Sequence, residues 1–421
     1  MTKSRPLRLA FLLWYFPVLS ETFVIEQITG MIKRGHHVDL FSLRAGDLSG
    51  LPLELRRFAL EERMRHVPTP RKRTARIISA ARLLASPPIF QKAKWAALNP
   101  WVHGKKAVNL EMFHTVSSFL RSGPYDVLHC HFGDLGIIGE RLVRMCAVDA
   151  ALVTSFRGAD LSSHYLARPE SFAALLGRGD LHLPVSVDFR QRLLDAGAPE
   201  DRVSLHHDGI DLKRFPFVEQ RPGGDVTRLL FVGRLVPKKG VAYALDALAK
   251  VVQADHKVTL TIIGDGSERE LLMERSRELA LGEHVAFAGA LPLAEVAQAM
   301  RSAHILLAPS VTSANGDQEG IPTVIKEAMA VGLPVVSTMH SGIPELVEHG
   351  VTGYLAPEGD TESLAKHLIT LLNHPERWRE MGRAGRRRVE AEFDTEQLND
   401  TLVEHYREAM ARRRANGTRD S

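Results

Sequence analysis

The chain has 421 residues, 44% of them hydrophobic, and a formal net charge of +4. That length exceeds one ordinary core, so two domains are expected, and the small net charge implies no global polyelectrolyte partner. Two cysteines, Cys130 and Cys146, without CxxC or metal-ligand spacing, argue against a disulfide scaffold or structural zinc and fit a reducing cytoplasm.

Lys3, Arg5 and Arg8 lead into the apolar run Leu9-Ala-Phe-Leu-Leu-Trp-Tyr-Phe, which imitates a signal peptide. No small-x-small cleavage site follows. Ser20, with Glu or Gln downstream, instead opens a helix with apolar residues at helical spacing. Gly35 closes it, and Val38 to Leu43 reads as a strand. Strand, helix, strand is a βαβ unit, so residues 7–14 are expected to form a buried first strand. Further strands are expected at Asp126–His131, Leu152–Phe156, Leu181–Val187 and Val203–His206. A polar, Pro/Gly-rich break follows at Phe217–Asp225. The alternation then restarts with Leu229–Val232, Val258–Ile263, Val285–Phe287, Ile305–Ala308 and Val335–Thr338. Two successive alternations predict an α/β protein of two Rossmann-like domains, with the ligand in the cleft between them. No run of about 20 apolar residues occurs, so no transmembrane helix is expected.

The segment Asp317-Gln-Glu-Gly-Ile-Pro-Thr-Val-Ile-Lys-Glu-Ala-Met-Ala places Glu319 in a polar loop. Pro322 suits the first turn of a helix, where its missing N–H costs nothing. Glu327 follows within that helix, which stops before Gly332-Leu-Pro. Acceptors for sugar hydroxyls thus flank free N–H groups and the positive end of a helix dipole, a seat for phosphate. Two solvated glutamates on an amphipathic helix would show the same spacing.

The second domain's first strand runs into Gly233-Arg-Leu-Val-Pro-Lys-Lys-Gly240. Gly233 permits a tight turn, while Arg234 and Lys239 bring a bidentate fork and a point charge to a place suited to pyrophosphate. A basic surface turn is the plainer reading. Ile263-Gly-Asp-Gly-Ser is not GxGxxG, and no such fingerprint follows the first strand, so NAD is poorly supported.

Gly233 to Gly240, Ile263 to Gly266, Glu319 to Ala330, Gly332 to Val336 and Gly342 to Gly353 together resemble glycosyltransferase family 4, in order and at family spacing. Asp126-Val-Leu-His-Cys-His-Phe-Gly, Pro184-Val-Ser and His207-Asp-Gly-Ile-Asp extend the likeness into the first half. Phe16-Pro-x-x-Ser-Glu-Thr-Phe is similar to a bacterial exopolysaccharide subgroup of colanic-acid and amylovoran type. The resemblance implies the GT-B fold. It divides the chain into an acceptor-binding domain at 1–216, a linker at 217–225 and a nucleotide-sugar domain at 226–390. Residues 391–421 are expected to form a helix returning to the first domain.

By the same resemblance, Arg234 and Lys239 clamp the diphosphate beside Gly233, Glu327 accepts from the ribose, and Glu319 lies at the donor sugar ring. The backbone of Gly320, Ile321, Pro322 and Thr323 takes phosphate or sugar contacts. His131 approaches the donor sugar, unless it is an ordinary buried strand-end histidine; His129 reads as structural. Two positions depart from the family pattern. Arg157-Gly158 stands where His-Gly is usual, and Arg157 either binds an anionic acceptor group or, preferably, pairs with Asp160. Asp208-Gly209 stands for Asn-Gly, a change tolerated in a turn.

The implied reaction is retaining transfer of a hexose-type residue from a nucleotide diphosphate sugar to a hydroxyl of a saccharide or polyprenyl-diphosphate-linked acceptor. Fixed cations and a helix N-terminus stabilise the leaving diphosphate, so neither metal nor cofactor is expected. A glycoside hydrolase using Glu319 and Glu327, or a non-catalytic nucleotide-sugar-binding protein, are the rivals. Between Arg63 and Leu110 there are eleven Lys/Arg and no Asp or Glu, interleaved with Ile77, Ile78, Ile89, Phe90, Trp95 and Trp101. This suits either an anionic membrane surface or a helical excursion with a solvated basic face. Nucleic acid is not expected. The expected location is cytoplasmic, with peripheral attachment to the inner membrane face if the first reading of 63–110 holds.

Overall fold

The structure is a computed structural model that describes residues 5–417, except 19–20, 46–56, 66, 68, 71, 87–90 and 220–224. The first sheet comprises β1 (Arg8–Phe16), β2 (His37–Ala45), β3 (Val127–His131), β4 (Ala151–Phe156) and β5 (Leu181–Pro184), in the order β2-β1-β3-β4-β5. The second comprises β6 (Thr227–Val232), β7 (Val258–Ile263), β8 (Val285–Gly289), β9 (Ile305–Ala308), β10 (Val335–Thr338) and β11 (Gly353–Ala356), in the order β11-β10-β9-β6-β7-β8. Every strand pair is parallel, so these are two parallel-sheet α/β domains.

The signal-like run is β1, in the interior of the first sheet. Leu9, Phe11 and Leu13 enter one core and Ala10 and Leu12 the opposite one, which is why the strand is apolar throughout rather than alternating. The helix after it spans Thr22–Lys33, with Glu21 at its N-cap and no side-chain cap; Ser20, expected to open it, lies outside the described residues. Two strand expectations are corrected. Val203–His206 makes a single bridge to His182 plus two hydrogen bonds to β5, too few to form a strand. β5 itself stops at Pro184, because Ser186 caps a helix over Val187–Asp195 and accepts from Phe189 N–H. β11 was not foreseen from the sequence.

The chain crosses between the sheets twice, side by side. Ile210 N–H donates to the Phe393 carbonyl (2.9 Å), and Thr395 N–H donates to the Ile210 carbonyl (3.1 Å). Past the second crossing, the helix Thr395–Gly417 lies along Thr22–Lys33 and buries Leu402, Tyr406 and Ala409 against the first sheet. The two helices meet at Gly30, where an added Cβ would fall 2.1 Å from the Asn399 side chain. Between β2 and β3, short helices over Arg73–Ala85, Lys92–Ala96, Pro100–His103 and Lys105–Val108 pack inward through Ala80, Ala93 and Ala97. Their outer face leaves Ile77, Ile78, Trp95 and Val108 exposed, and Trp101 95% exposed. Among the described residues, no helix is long and apolar enough to cross a membrane.

Candidate active site

The helix of the glutamate motif spans Thr323–Val331, and Pro322 stands at its N-cap, one residue earlier than expected. Gly332 ends it at φ +98°, a conformation open to glycine. No described residue accepts a hydrogen bond from the N–H of Gly320, Ile321 or Thr323, so this stretch offers donors at the positive end of the helix.

Glu319 lies in the preceding loop, 3.1 Å from Lys239 Nζ and 3.3 Å from Lys238 Nζ. Burial pushes its carboxyl up, but the two lysines outweigh this and hold it at about 2. Lys238 also donates to Asp317 and to the Gln318 carbonyl, both at 3.1 Å, and so fastens the loop. The Glu319 N–H donates to His340 Nε2 (3.1 Å), and His340 Nδ1 is 2.6 Å from Glu358. Glu327, on the second turn, is buried; desolvation raises its carboxyl to about 7 against the opposing pull of Lys326 and Arg214. Lys326 is fully buried, and its ammonium donates to the Asp208 carbonyl at 2.7 Å.

The Gly233–Gly240 turn packs against the turn after β7. Gly264 sits at φ +145°, and a Cβ there would fall 1.8 Å from the Gly233 carbonyl oxygen. Arg234 is exposed, and among the described residues its guanidinium has no hydrogen bond or ion pair. The two cations of the expected clamp thus differ: Arg234 makes no hydrogen bond or ion pair among the described residues and is drawn only at longer range to Glu21, whereas Lys239 is held by Glu319.

On the facing domain, His131 ends β3, fully buried and stacked on Phe11 and His129, with both ring nitrogens lacking a hydrogen-bond partner. Burial, with His129 and Arg157 nearby, holds it neutral. His129 is structural, bonded to Tyr406 and Ser155 at 2.8 Å each. The expected Arg157–Asp160 pair is corrected. Asp160 accepts from the backbone N–H groups of Gly133, Arg157 and Gly158, while the Arg157 guanidinium turns away to Asp208. The reason is geometric: three main-chain donors already satisfy Asp160, and Asp208 offers both oxygens at 3.0 Å. Asp208 also balances the charge on which an anionic acceptor would have drawn.

The domains touch beside these groups. Gln318 N–H donates to Ser162 Oγ (3.3 Å). Glu345 accepts from Val187 N–H (2.8 Å) and Asp188 N–H (3.2 Å), capping a helix of the other domain. Lys238, His340, Lys326 and Glu345 were missed from the sequence. Only Lys238, beside Lys239 in a basic doublet, carried a local signal.

Two parallel-sheet domains thus carry these groups, with paired glutamates and lysines in the loops of one and a buried histidine at a strand end of the other. The chain belongs to the family described as Glycosyl transferases group 1, which its residues 215–388 match. It is 33% identical over 406 residues to WcaL of Salmonella typhimurium, named for colanic acid biosynthesis, covering 94% of this chain and 98% of that one. It is 32% identical over 392 residues to the amylovoran biosynthesis glycosyltransferase AmsK of Erwinia amylovora, with 92% and 96% covered. Similar solved structures include Anabaena Alr3699/HepE in complex with UDP and glucose (TM-score 0.71, 19% identity, 94% of this chain and 98% of that one). Sucrose-phosphate synthase from Thermosynechococcus elongatus is another (TM-score 0.72, 21% identity, 96% and 99%). At these identities the structures speak for the fold. The chain is a glycosyltransferase, and these relatives are named for colanic acid and amylovoran biosynthesis.

Proposed function

We propose that this glycosyltransferase moves a hexose-type residue, with retention, from a nucleotide diphosphate sugar to a hydroxyl of a saccharide or polyprenyl-diphosphate-linked acceptor during cell-surface glycan synthesis. The observation that carries the reading is the convergence of Glu319, Glu327, Lys239 and unpaired N–H groups at one helix N-terminus. The acceptor-binding domain is residues 1–216, the donor domain 226–390 with 217–225 as linker, and 391–421 returns to the first domain.

Arg234, beside Gly233, and Lys239 bind the diphosphate and offset the charge that develops on it as the sugar leaves. Glu327 accepts from the ribose hydroxyls. Glu319 accepts from the sugar ring, releasing Lys239 toward the phosphates as it does so. The backbone of Gly320, Ile321, Pro322 and Thr323 lines the phosphate seat. His131, neutral and with both ring nitrogens unmatched, supplies a polar group to the donor sugar. Because HepE was solved with UDP and with UDP-glucose, uridine diphosphate is the first nucleotide to try.

The basic outer face of 63–110, with exposed Trp95 and Trp101, attaches the enzyme to an anionic membrane surface on the cytoplasmic side, where a lipid-linked acceptor resides. A hydrolase would have no use for two lysines on Glu319, nor for a carboxyl held at about 2 as an acid. The test is incubation with a panel of nucleotide-sugars, scoring nucleoside diphosphate release that depends on a saccharide or lipid-linked acceptor. Sugar release without the diphosphate indicates a hydrolase, and binding without turnover indicates a non-catalytic protein.

A further inference from the structure

The two positions at which the chain departs from the family pattern, Arg157 and Asp208, are bonded to each other. Arg157 Nε donates to both Asp208 oxygens at 3.0 Å, with side-chain exposures of 4% and 10%. The guanidinium also donates to Gln27 (3.2 Å) and lies 4.8 Å over the Phe23 ring and 5.9 Å from that of Phe132, the residue after His131. Asp208 stands two residues before the interdomain crossing at Ile210, and its carbonyl accepts from Lys326, the residue before Glu327. At the other end of the donor segment, Gly320 packs so closely that an added Cβ would fall 2.6 Å from the Arg157 carbonyl oxygen.

One residue therefore braces the donor segment at both ends: its carbonyl meets the loop beside Glu319, and its guanidinium, through Asp208, holds the turn that anchors Lys326. We infer that Arg157 is a positioning residue that sets residues 319–327 against the His131–Phe132 wall of the acceptor domain. The inference rests on the reading of 319–327 as the donor site. The pair lies within the acceptor domain and meets the other domain through the two residues' carbonyls, at Lys326 and Gly320, while the diphosphate clamp is left untouched, so its loss disturbs the approach of donor to acceptor while nucleotide still binds. Small displacements of reacting groups are costly in rate.

The test is a double-mutant cycle with Arg157→His, Asp208→Asn and the pair together. Nucleoside diphosphate affinity is read by calorimetry, turnover by diphosphate release, and folding by thermal melting. Each single variant strands a buried charge and is expected to lower kcat roughly 10- to 100-fold, with nucleotide affinity within about twofold of wild type. The double variant removes both charges together and is expected to recover most of that loss. A double variant as slow as the product of the singles overturns the inference, as do singles with wild-type kcat. A rise in acceptor KM that the double variant does not rescue would make Arg157 an acceptor contact instead. If a single variant fails to fold, Arg157→Lys takes its place: it keeps the charge but not the fork, so slow turnover with normal nucleotide affinity supports the inference and wild-type turnover overturns it. A wild-type protein that binds no nucleoside diphosphate defeats the donor-site reading itself. Normal binding with an additive cycle defeats only this inference.

Discussion

Lys239 Nζ stands 3.1 Å from a carboxylate oxygen of Glu319. The cation assigned to the diphosphate and the carboxylate assigned to the sugar ring thus hold each other in the free chain. A donor that brings phosphate to one and hydroxyls to the other replaces this contact with two others. Glu319 is ion-paired and held in place before the substrate arrives, so little reorganisation remains for the transition state.

Arg234 isolates the clamp. It is exposed and unpaired among the described residues, so Arg234→Ala should leave the melting temperature unchanged. Loss of its charge-assisted hydrogen bonds, roughly 1.5–3 kcal/mol each, should lower nucleotide affinity or turnover about 10- to 100-fold. Diphosphate-release kinetics check this, and wild-type turnover would remove Arg234 from the clamp.

Glu327 predicts a pH dependence. In the proposed role ribose hydroxyls would donate to the carboxylate, so binding would prefer the ionised form, yet in the free chain burial raises the carboxyl to about 7. Nucleotide affinity should therefore fall as the pH drops from about 8 to about 6, and Glu327→Gln should flatten this component of the profile. The stability effect has the opposite sense. Between the ordinary value of 4.5 and about 7 the folded chain keeps a proton that the unfolded chain releases, so this group's contribution to stability declines as pH rises through that window. Calorimetry of both proteins across the range checks the first claim, and thermal melts check the second.

The face carrying Trp101 should bind anionic vesicles. Cosedimentation should rise with anionic lipid and fall with salt, since each cation near the surface contributes about 1 kcal/mol. Changing Lys72 and Arg73 to Glu, or Trp101 to Ala, should weaken it. Equal recovery in the supernatant at every lipid composition would leave the face merely solvated.

Much of this architecture was legible because parallel strands are buried on both sides and so read as unbroken apolar runs, as in Leu9–Phe16. The glutamate helix was legible because Pro322 and Gly332 punctuate it. The partner of Arg157 was not, since Asp208 lies 51 positions away and meets it only where the chain crosses between domains. Nor was His340, whose hold on the Glu319 backbone depends on the loop after β10. Val203–His206 reads as a strand in the sequence, but it meets β5 through one bridge and two hydrogen bonds only. Local pattern carried the elements, whereas long-range polar contacts required the fold.

The assignment of the two glutamates is tested most directly by calorimetric titration of nucleoside diphosphate into three proteins: wild type, Glu327→Ala and Glu319→Ala. Losing the ribose acceptor should weaken binding about 10- to 100-fold in Glu327→Ala. Glu319→Ala frees Lys239, while Lys238 stays bonded to Asp317 and the Gln318 carbonyl, so its affinity should match or exceed wild type while transfer collapses. Weak binding by Glu319→Ala beside normal binding by Glu327→Ala would contradict the account.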